Sequence, residues 1–239
     1  MANILEVKDI KEIEQKGLLG YRTANRLGVN LMGGMAIGSL LAALFAWLAY
    51  GLVSQELDRF DTLVGGLIRS RTGGGWDTLA ILITNIGSAI FEIGLFIIVA
   101  GYFWYYRKRV REALMLAVGL AGGYLLNTAL KHVFQRPRPE VEHLVAASGY
   151  SFPSGHMMMA TIFYGMLGYL AWLGLRQREQ PGWYVPVLTF ILIAAIGASR
   201  IYLGVHFPSD VTAGFAAGGV WLLICLLVLD GIKKTKRQS

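Results

Sequence analysis

Charge is scarce in this chain. Asp, Glu, Lys and Arg make up 15% of its 239 residues, whereas soluble globular domains carry about 25%. That shortage excludes a disordered chain, a nucleic-acid-binding domain and most soluble enzymes. Cysteine is almost missing as well. Cys225 stands alone, which excludes an internal disulfide framework and a cysteine-based zinc site. It lies in an apolar run and reads as a buried or lipid-facing thiol. No internal repeat, low-complexity tract or second domain is visible along the chain.

What is present is apolar. Hydrophobic residues make up 55%, and the mean hydropathy is +0.52. Glycine, at 30 residues, suits close helix packing in lipid. A membrane-crossing helix needs about 20 mostly apolar residues. Six stretches qualify: Leu27 to Val53, Leu79 to Tyr106, Ala113 to Lys131, Gly155 to Leu175, Tyr184 to Ser199 and Asp210 to Leu229. The expected fold is therefore all-α, a polytopic membrane protein with six transmembrane helices in one bundle over 1–239. The second stretch holds Gly87, Ser88 and Glu92, so its first part is expected to be irregular. The fifth is short and can extend past Arg200. The apolar core of the first is longer than a signal-peptide core of about 7–15 residues, so it reads as a retained helix.

The positive charges orient the bundle. Fifteen Lys and Arg fall in the segments that share a side with the two ends, and seven fall on the other side. The positive-inside rule places both termini in the cytoplasm. The net charge of +7 then reports topology and not a nucleic-acid partner. Segment 1–26 is cytoplasmic and carries Ile4, Val7, Ile10 and Ile13 at a three-residue repeat. Segment 54–77 is outer and carries Phe60, Leu63, Val64, Leu67 and Ile68 at helical spacing. Each reads as a helix on the membrane surface or as a plain connector. The turn Gly73-Gly74-Gly75 ends the second before Trp76, an interfacial anchor. Segment 132–154 is an outer loop, and 230–239 is a basic cytoplasmic tail. Gly34/Gly38, Gly119/Gly123 and Gly214/Gly218 read as helix contacts.

Three places hold polar residues where apolar ones are expected. One runs from Lys131 to Pro139, the second from Tyr150 to His156, the third from Ser199 to Asp210. They are far apart in the chain, yet this topology brings all three to the outer membrane boundary. Ionisable groups near a bilayer are costly and are usually paired or functional. Lys131, Arg138 and Arg200 with His156, His206 and Asp210 make a site for an anion. Arg presents a planar fork that matches phosphate oxygens, and Lys adds a mobile point charge. Ser154-Gly155 opens a helix, so free N–H groups and the positive dipole end point outward there. Gly155, without a Cβ, admits a phosphate close to the backbone. Two imidazoles suit nucleophilic phosphoryl transfer: one neutral to attack, one protonated to donate to the leaving oxygen. Only His206 has an acid, Asp210, at helical spacing, which makes it the nucleophile candidate. His156, beside the anion-holding turn, is the acid candidate. His132 and His143 read as structural, and Asn127 and Ser199 as interhelical hydrogen-bonders. Glu92 either pairs with a neighbouring helix or lines the cavity.

These residues resemble the three-part pattern of the type-2 phosphatidic acid phosphatase superfamily. The parts are Lys131…Arg138-Pro139, Pro153-Ser154-Gly155-His156, and Ser199-Arg200…His206…Asp210. The length and layout are similar to the superfamily's bacterial phosphatidylglycerophosphatases and undecaprenyl-pyrophosphate phosphatases. The resemblance implies a lipid phosphatase with no metal and no other cofactor, working through a phosphohistidine. His206 would attack, Asp210 would orient it and His156 would protonate the leaving group. Lys131, Arg138, Ser154, Gly155 and Arg200 would bind the phosphate. The implied partners are the bilayer and a lipid phosphate: phosphatidylglycerol phosphate, phosphatidic acid or undecaprenyl pyrophosphate. The implied location is the plasma membrane, with the site extracytoplasmic. Two alternatives stay open. One is a phosphotransferase of the same fold, and the other is an anion transporter.

Overall fold

A computed structural model describes residues 32–70 and 72–238, from 230 on as backbone only. The amphipathic repeat at Ile4–Ile13, the start of the first span and Arg71 lie outside the described residues. The chain divides into two units, one ending at Leu40 and one beginning at Leu41. The first contributes the opening turns of helix α1, Met32–Val53. The second holds all that follows.

Among the described residues the structure is all-helical. After α1 come α2 (Asp58–Arg69), α3 (Gly75–Ile86) and α4 (Ala89–Gly101), the last continued by a π-helical turn at Tyr102–Tyr106. Then follow α5 (Val110–Phe134), α6 (Gly155–Arg176), α7 (Tyr184–Tyr202) and α8 (Pro208–Gln238). Six helices are long and apolar enough to cross a membrane: α1, α4 with its π turn, α5, α6, α7 and α8 as far as Leu229.

The expected second span, Leu79 to Tyr106, is corrected. It breaks at Gly87. At 1.5 Å per residue α3 is only about 18 Å long, too short to cross. A Cβ at Gly87 would meet Ile196 Cγ2 at 2.5 Å, so only glycine lets α7 approach the break. Ser88 then caps α4, its hydroxyl accepting from Phe91 N at 3.3 Å. Segment 54–77 holds α2, which carries Phe60 to Ile68, and the glycine turn separates it from Trp76 in the first turn of α3.

The core lies between α5, α6, α7 and α8, with Phe163, Met166, Ile196 and Leu229 almost fully buried. Cys225 is buried in this cluster. Gly214 and Gly218 bring α8 against the backbone of α6, where added Cβ atoms would meet Ser154 O at 2.6 Å and Met158 O at 2.7 Å. Outward-facing apolar side chains such as Leu125, Ile97 and Phe190 stay exposed. In a bundle surrounded by lipid they need no protein cover. Ser199 does not reach another helix: its hydroxyl donates to Ile196 O of its own turn at 2.6 Å.

Candidate active site

Local chemistry sets each site element. α5 ends where Gln135 adopts a left-handed conformation, φ 47°. Pro137 and Pro139 then prevent any return to helix and hold Arg136 and Arg138 extended. α7 delivers Arg200 near its end. The chain then turns at Gly204, φ 78°, where a Cβ would meet the Arg69 guanidinium and Glu142 O. Pro208 occupies the first position of α8, where a missing N–H costs nothing. Asp210, at the third position, reaches back so that Phe207 N donates to its Oδ2 at 2.9 Å.

That reach-back shapes the His206–Asp210 pair. His206 lies before the helix, so the two are not stacked on one helical face. The turn brings His206 Nδ1 to 3.4 Å from Asp210 Oδ2, a close contact, while Nδ1 has no hydrogen-bond partner. On the far side of the ring, Arg138 NH1 lies 3.4 Å from Nε2. A guanidinium can only donate, so Nε2 is the unprotonated nitrogen and the ring proton sits on Nδ1, facing the carboxylate. Burial pushes the His206 imidazole down to about 4, against the opposing pull of Asp210 and with Arg200 and Arg138 adding to the fall. The ring is neutral at pH 7.

Two of the three cations are held by carbonyls. Lys131 Nζ donates to Tyr150 O at 2.7 Å. Arg138 donates to Val205 O at 2.7 Å, Ser148 O at 2.8 Å and Gly149 O at 3.1 Å. Burial lowers the Arg138 pKa from its ordinary value. Arg200 NH1 donates to Thr84 Oγ1 of α3 at 2.8 Å, while its Nε is buried without a partner.

One cavity of about 660 Å³ gathers these groups. Lys131, Arg138, Gly155, His156, Arg200 and His206 all line it. Asp210 lies behind His206, fully buried. Ser154 does not line the cavity; its hydroxyl is buried without a partner, and its N–H donates to Asp210 O at 3.0 Å. Gly155 also has a packing reason beyond anion access, since a Cβ there would meet Asn127 Oδ1 at 3.0 Å. Asn127 in turn donates to Pro153 O at 3.3 Å. His132 and His143 are exposed and bond only to nearby carbonyls, Thr128 O and Pro139 O. Glu92 lines the cavity, which chooses between its two readings.

The sequence reading missed a network behind the nucleophile candidate. Arg136 NH1 donates to Asp210 Oδ1 at 2.7 Å and to Ser209 Oγ at 2.7 Å. Its NH2 donates to Asp61 Oδ2 of α2 at 2.7 Å. Asp61 also accepts from Ser209 N at 2.8 Å and Ser209 Oγ at 2.7 Å. The Phe207 ring covers the guanidinium, 3.9 Å from Cζ. All four polar residues are buried. α2 thus does more than rest on a surface, because its acid anchors the arginine that holds Asp210. The available signal was Asp61, a charge on the apolar-spaced side of an amphipathic helix.

With this geometry in place, the relatives are informative. Residues 112–233 match the PAP2 superfamily. The chain belongs to that superfamily. A phosphatidylglycerophosphatase B of Bacillus subtilis is 37% identical over 155 residues, covering 65% of this chain and 74% of the relative. A lipid A 1-phosphatase of Rhizobium etli is 30% identical over 201 residues, covering 74% of this chain and 80% of the relative. The crystal structure of a transmembrane PAP2-type phosphatidylglycerolphosphate phosphatase from Bacillus subtilis superposes with a TM-score of 0.75 at 27% identity, covering 83% of this chain and 96% of that one. This PAP2 protein is accordingly a multi-pass membrane phosphatase, a hydrolase.

Proposed function

We propose that this PAP2 protein removes phosphate from a lipid phosphate at the outer face of the plasma membrane through a phosphohistidine. The observation that carries the reading is the shared cavity: three cations, two imidazoles and a helix N-terminus from three separate stretches of the chain face one volume. The substrate class is a lipid monophosphate or pyrophosphate, whose tail remains among the helices.

Lys131, Arg138, Arg200 and the N–H groups opening α6 hold the phosphoryl oxygens. His206 Nε2 attacks phosphorus as the bond to the leaving oxygen breaks. Asp210 orients the ring through Nδ1–H and stabilises the charge that forms. His156 gives its proton to the leaving oxygen. Water then gives a proton back to His156 while its oxygen displaces Nε2, releasing inorganic phosphate and restoring neutral His206. No step calls for a metal ion, because the cations meet the charge on phosphorus.

The orientation rests on the fifteen-to-seven split of Lys and Arg. It predicts that a cysteine introduced at exposed Glu140 reacts with an impermeant thiol reagent added outside intact cells. Labelling only after permeabilisation overturns the outward-facing assignment.

The direct test uses purified protein in detergent with EDTA. Phosphate should be released from phosphatidylglycerol phosphate or phosphatidic acid. Acid-quenched protein should carry acid-labile phosphate that is absent from His206→Ala. Full turnover by a folded His206→Ala protein removes the proposed nucleophile.

A further inference from the structure

Glu92 is not used by any step above, yet it faces the same cavity. Its side chain is 2% exposed, and Oε1 has no hydrogen-bond partner. The nearby Tyr164 hydroxyl is committed elsewhere, donating to Ile86 O at 2.6 Å. A buried carboxyl with an unsatisfied oxygen is costly in any protein interior, and more so in a bundle surrounded by lipid. A native structure retains such a group where a ligand completes it.

The position of Glu92 along the cavity says which part of a ligand that is. On α5 the lining runs from Lys131 through Asn127, Tyr124, Ala121 and Leu120 to Ala117. At 1.5 Å per residue that wall is about 21 Å long. All the cations stand at the Lys131 end. On α4 the lining is Ala89, Glu92, Ile93 and Phe96. Glu92 therefore stands in the first turn of α4, between the cationic chamber and an apolar shaft. A substrate whose phosphate sits on the cations and whose tail fills the shaft places its leaving alcohol beside Glu92.

Resting on the lipid-phosphatase reading, we infer that Glu92 forms a subsite for a hydroxyl carried by the leaving alcohol, which selects lipid phosphates with a polyol next to the scissile ester. A hydroxyl in the cavity bonds to the Glu92 carboxyl once that group turns its unpartnered oxygen toward it. A glycerol headgroup or a sugar offers such a donor. The diacylglycerol released from phosphatidic acid offers only ester oxygens there, and a prenyl chain offers hydrocarbon. A site built to bond a hydroxyl discriminates against analogues that lack it, because its own polar group is then left unpaired.

The test compares kcat/KM on phosphatidylglycerol phosphate and on phosphatidic acid, using purified full-length protein in detergent. Wild-type protein should prefer the first by at least about 10-fold, the scale of one buried hydrogen bond to a carboxyl. Glu92→Leu, which keeps the volume, should collapse that preference toward one. Glu92→Gln, which keeps an acceptor oxygen, should retain most of it. A ratio in Glu92→Leu equal to that of wild type overturns the subsite. A second measurement needs no variant: an analogue of phosphatidylglycerol phosphate whose headgroup is 1,3-propanediol lacks the hydroxyl. It should lose about the same factor on wild-type protein, and equal turnover of the two headgroups overturns the inference. Wild-type protein that hydrolyses none of these lipids instead removes the lipid-monophosphate reading beneath it.

Discussion

Two regions of the chain meet at the cavity and play different parts. Residues 112–233, the stretch that matches the PAP2 superfamily, carry Lys131, Arg138, His156, Arg200, His206 and Asp210. Residues 58–106 lie outside that match, yet they send three polar side chains to the same place. Asp61 of α2 holds Arg136, Thr84 of α3 accepts from Arg200, and Glu92 of α4 lines the cavity. On the proposed reading, the first region presents the groups that face a phosphoryl group. The second touches those groups from behind or meets the leaving alcohol beside them. Reaction chemistry and its tuning are thus divided along the chain.

If that division holds, losses should be graded. The largest belongs to His206→Ala, whose turnover should fall at least roughly 10⁴-fold in a phosphate-release assay, the scale on which loss of a covalent catalytic unit acts. Next is Arg200→Ala, expected to lose at least about 100-fold in kcat, as for a removed charge-stabilising donor. A tenfold or smaller effect would make Arg200 a structural residue.

Asp61→Asn probes the second region and should cost about 10- to 100-fold in kcat, the range for outer partners that orient a reacting group. Its pH profile separates positioning from mere support. Protonated His206 is inactive, so kcat/KM should fall as pH drops through its pKa, near 4. The groups acting on that ring are Asp210 on α8, Arg138 after α5, Arg200 on α7 and His156 on α6. Without the Asp61 charge, Arg136 acts more fully on Asp210, which then stabilises the imidazolium less. The acid limb should move to lower pH. Arg136→Gln should move it to higher pH, because Asp210 then acts on the ring unopposed. Shifts in the same direction, or none, would reduce the Asp61–Arg136 pair to packing. The smallest effect is expected from Thr84→Val, which removes one neutral acceptor from Arg200. About a 5- to 10-fold loss of kcat/KM corresponds to one hydrogen bond of roughly 1 kcal/mol. A loss matching Arg200→Ala would erase the distinction between the regions.

Much of this was legible in the chain because its signals are local. Runs of apolar residues mark the helices wherever they fold, since lipid tolerates only internally bonded backbone. The spacing of Lys131, Arg138, His156, Arg200, His206 and Asp210 is likewise a linear pattern. Asp61, Arg136 and Glu92 gave weaker signals. Arg136 looks like one more arginine in a basic, proline-rich loop, and Asp61 like one more charge on an amphipathic surface helix. Leu79 to Tyr106 read as one span because hydropathy does not register the close approach of Ile196 to Gly87.

Composition and spacing by themselves determined the membrane class, most of the apolar spans and the candidates for the reacting groups, because these depend on residue type and short-range periodicity. Only the tertiary structure decided which carboxylates matter and how. Asp61 and Arg136 lie 75 residues apart, and nothing short of packing α2 beside the start of α8 joins them. Burial and pairing are properties of neighbours in space, and along this chain those neighbours are distant in sequence.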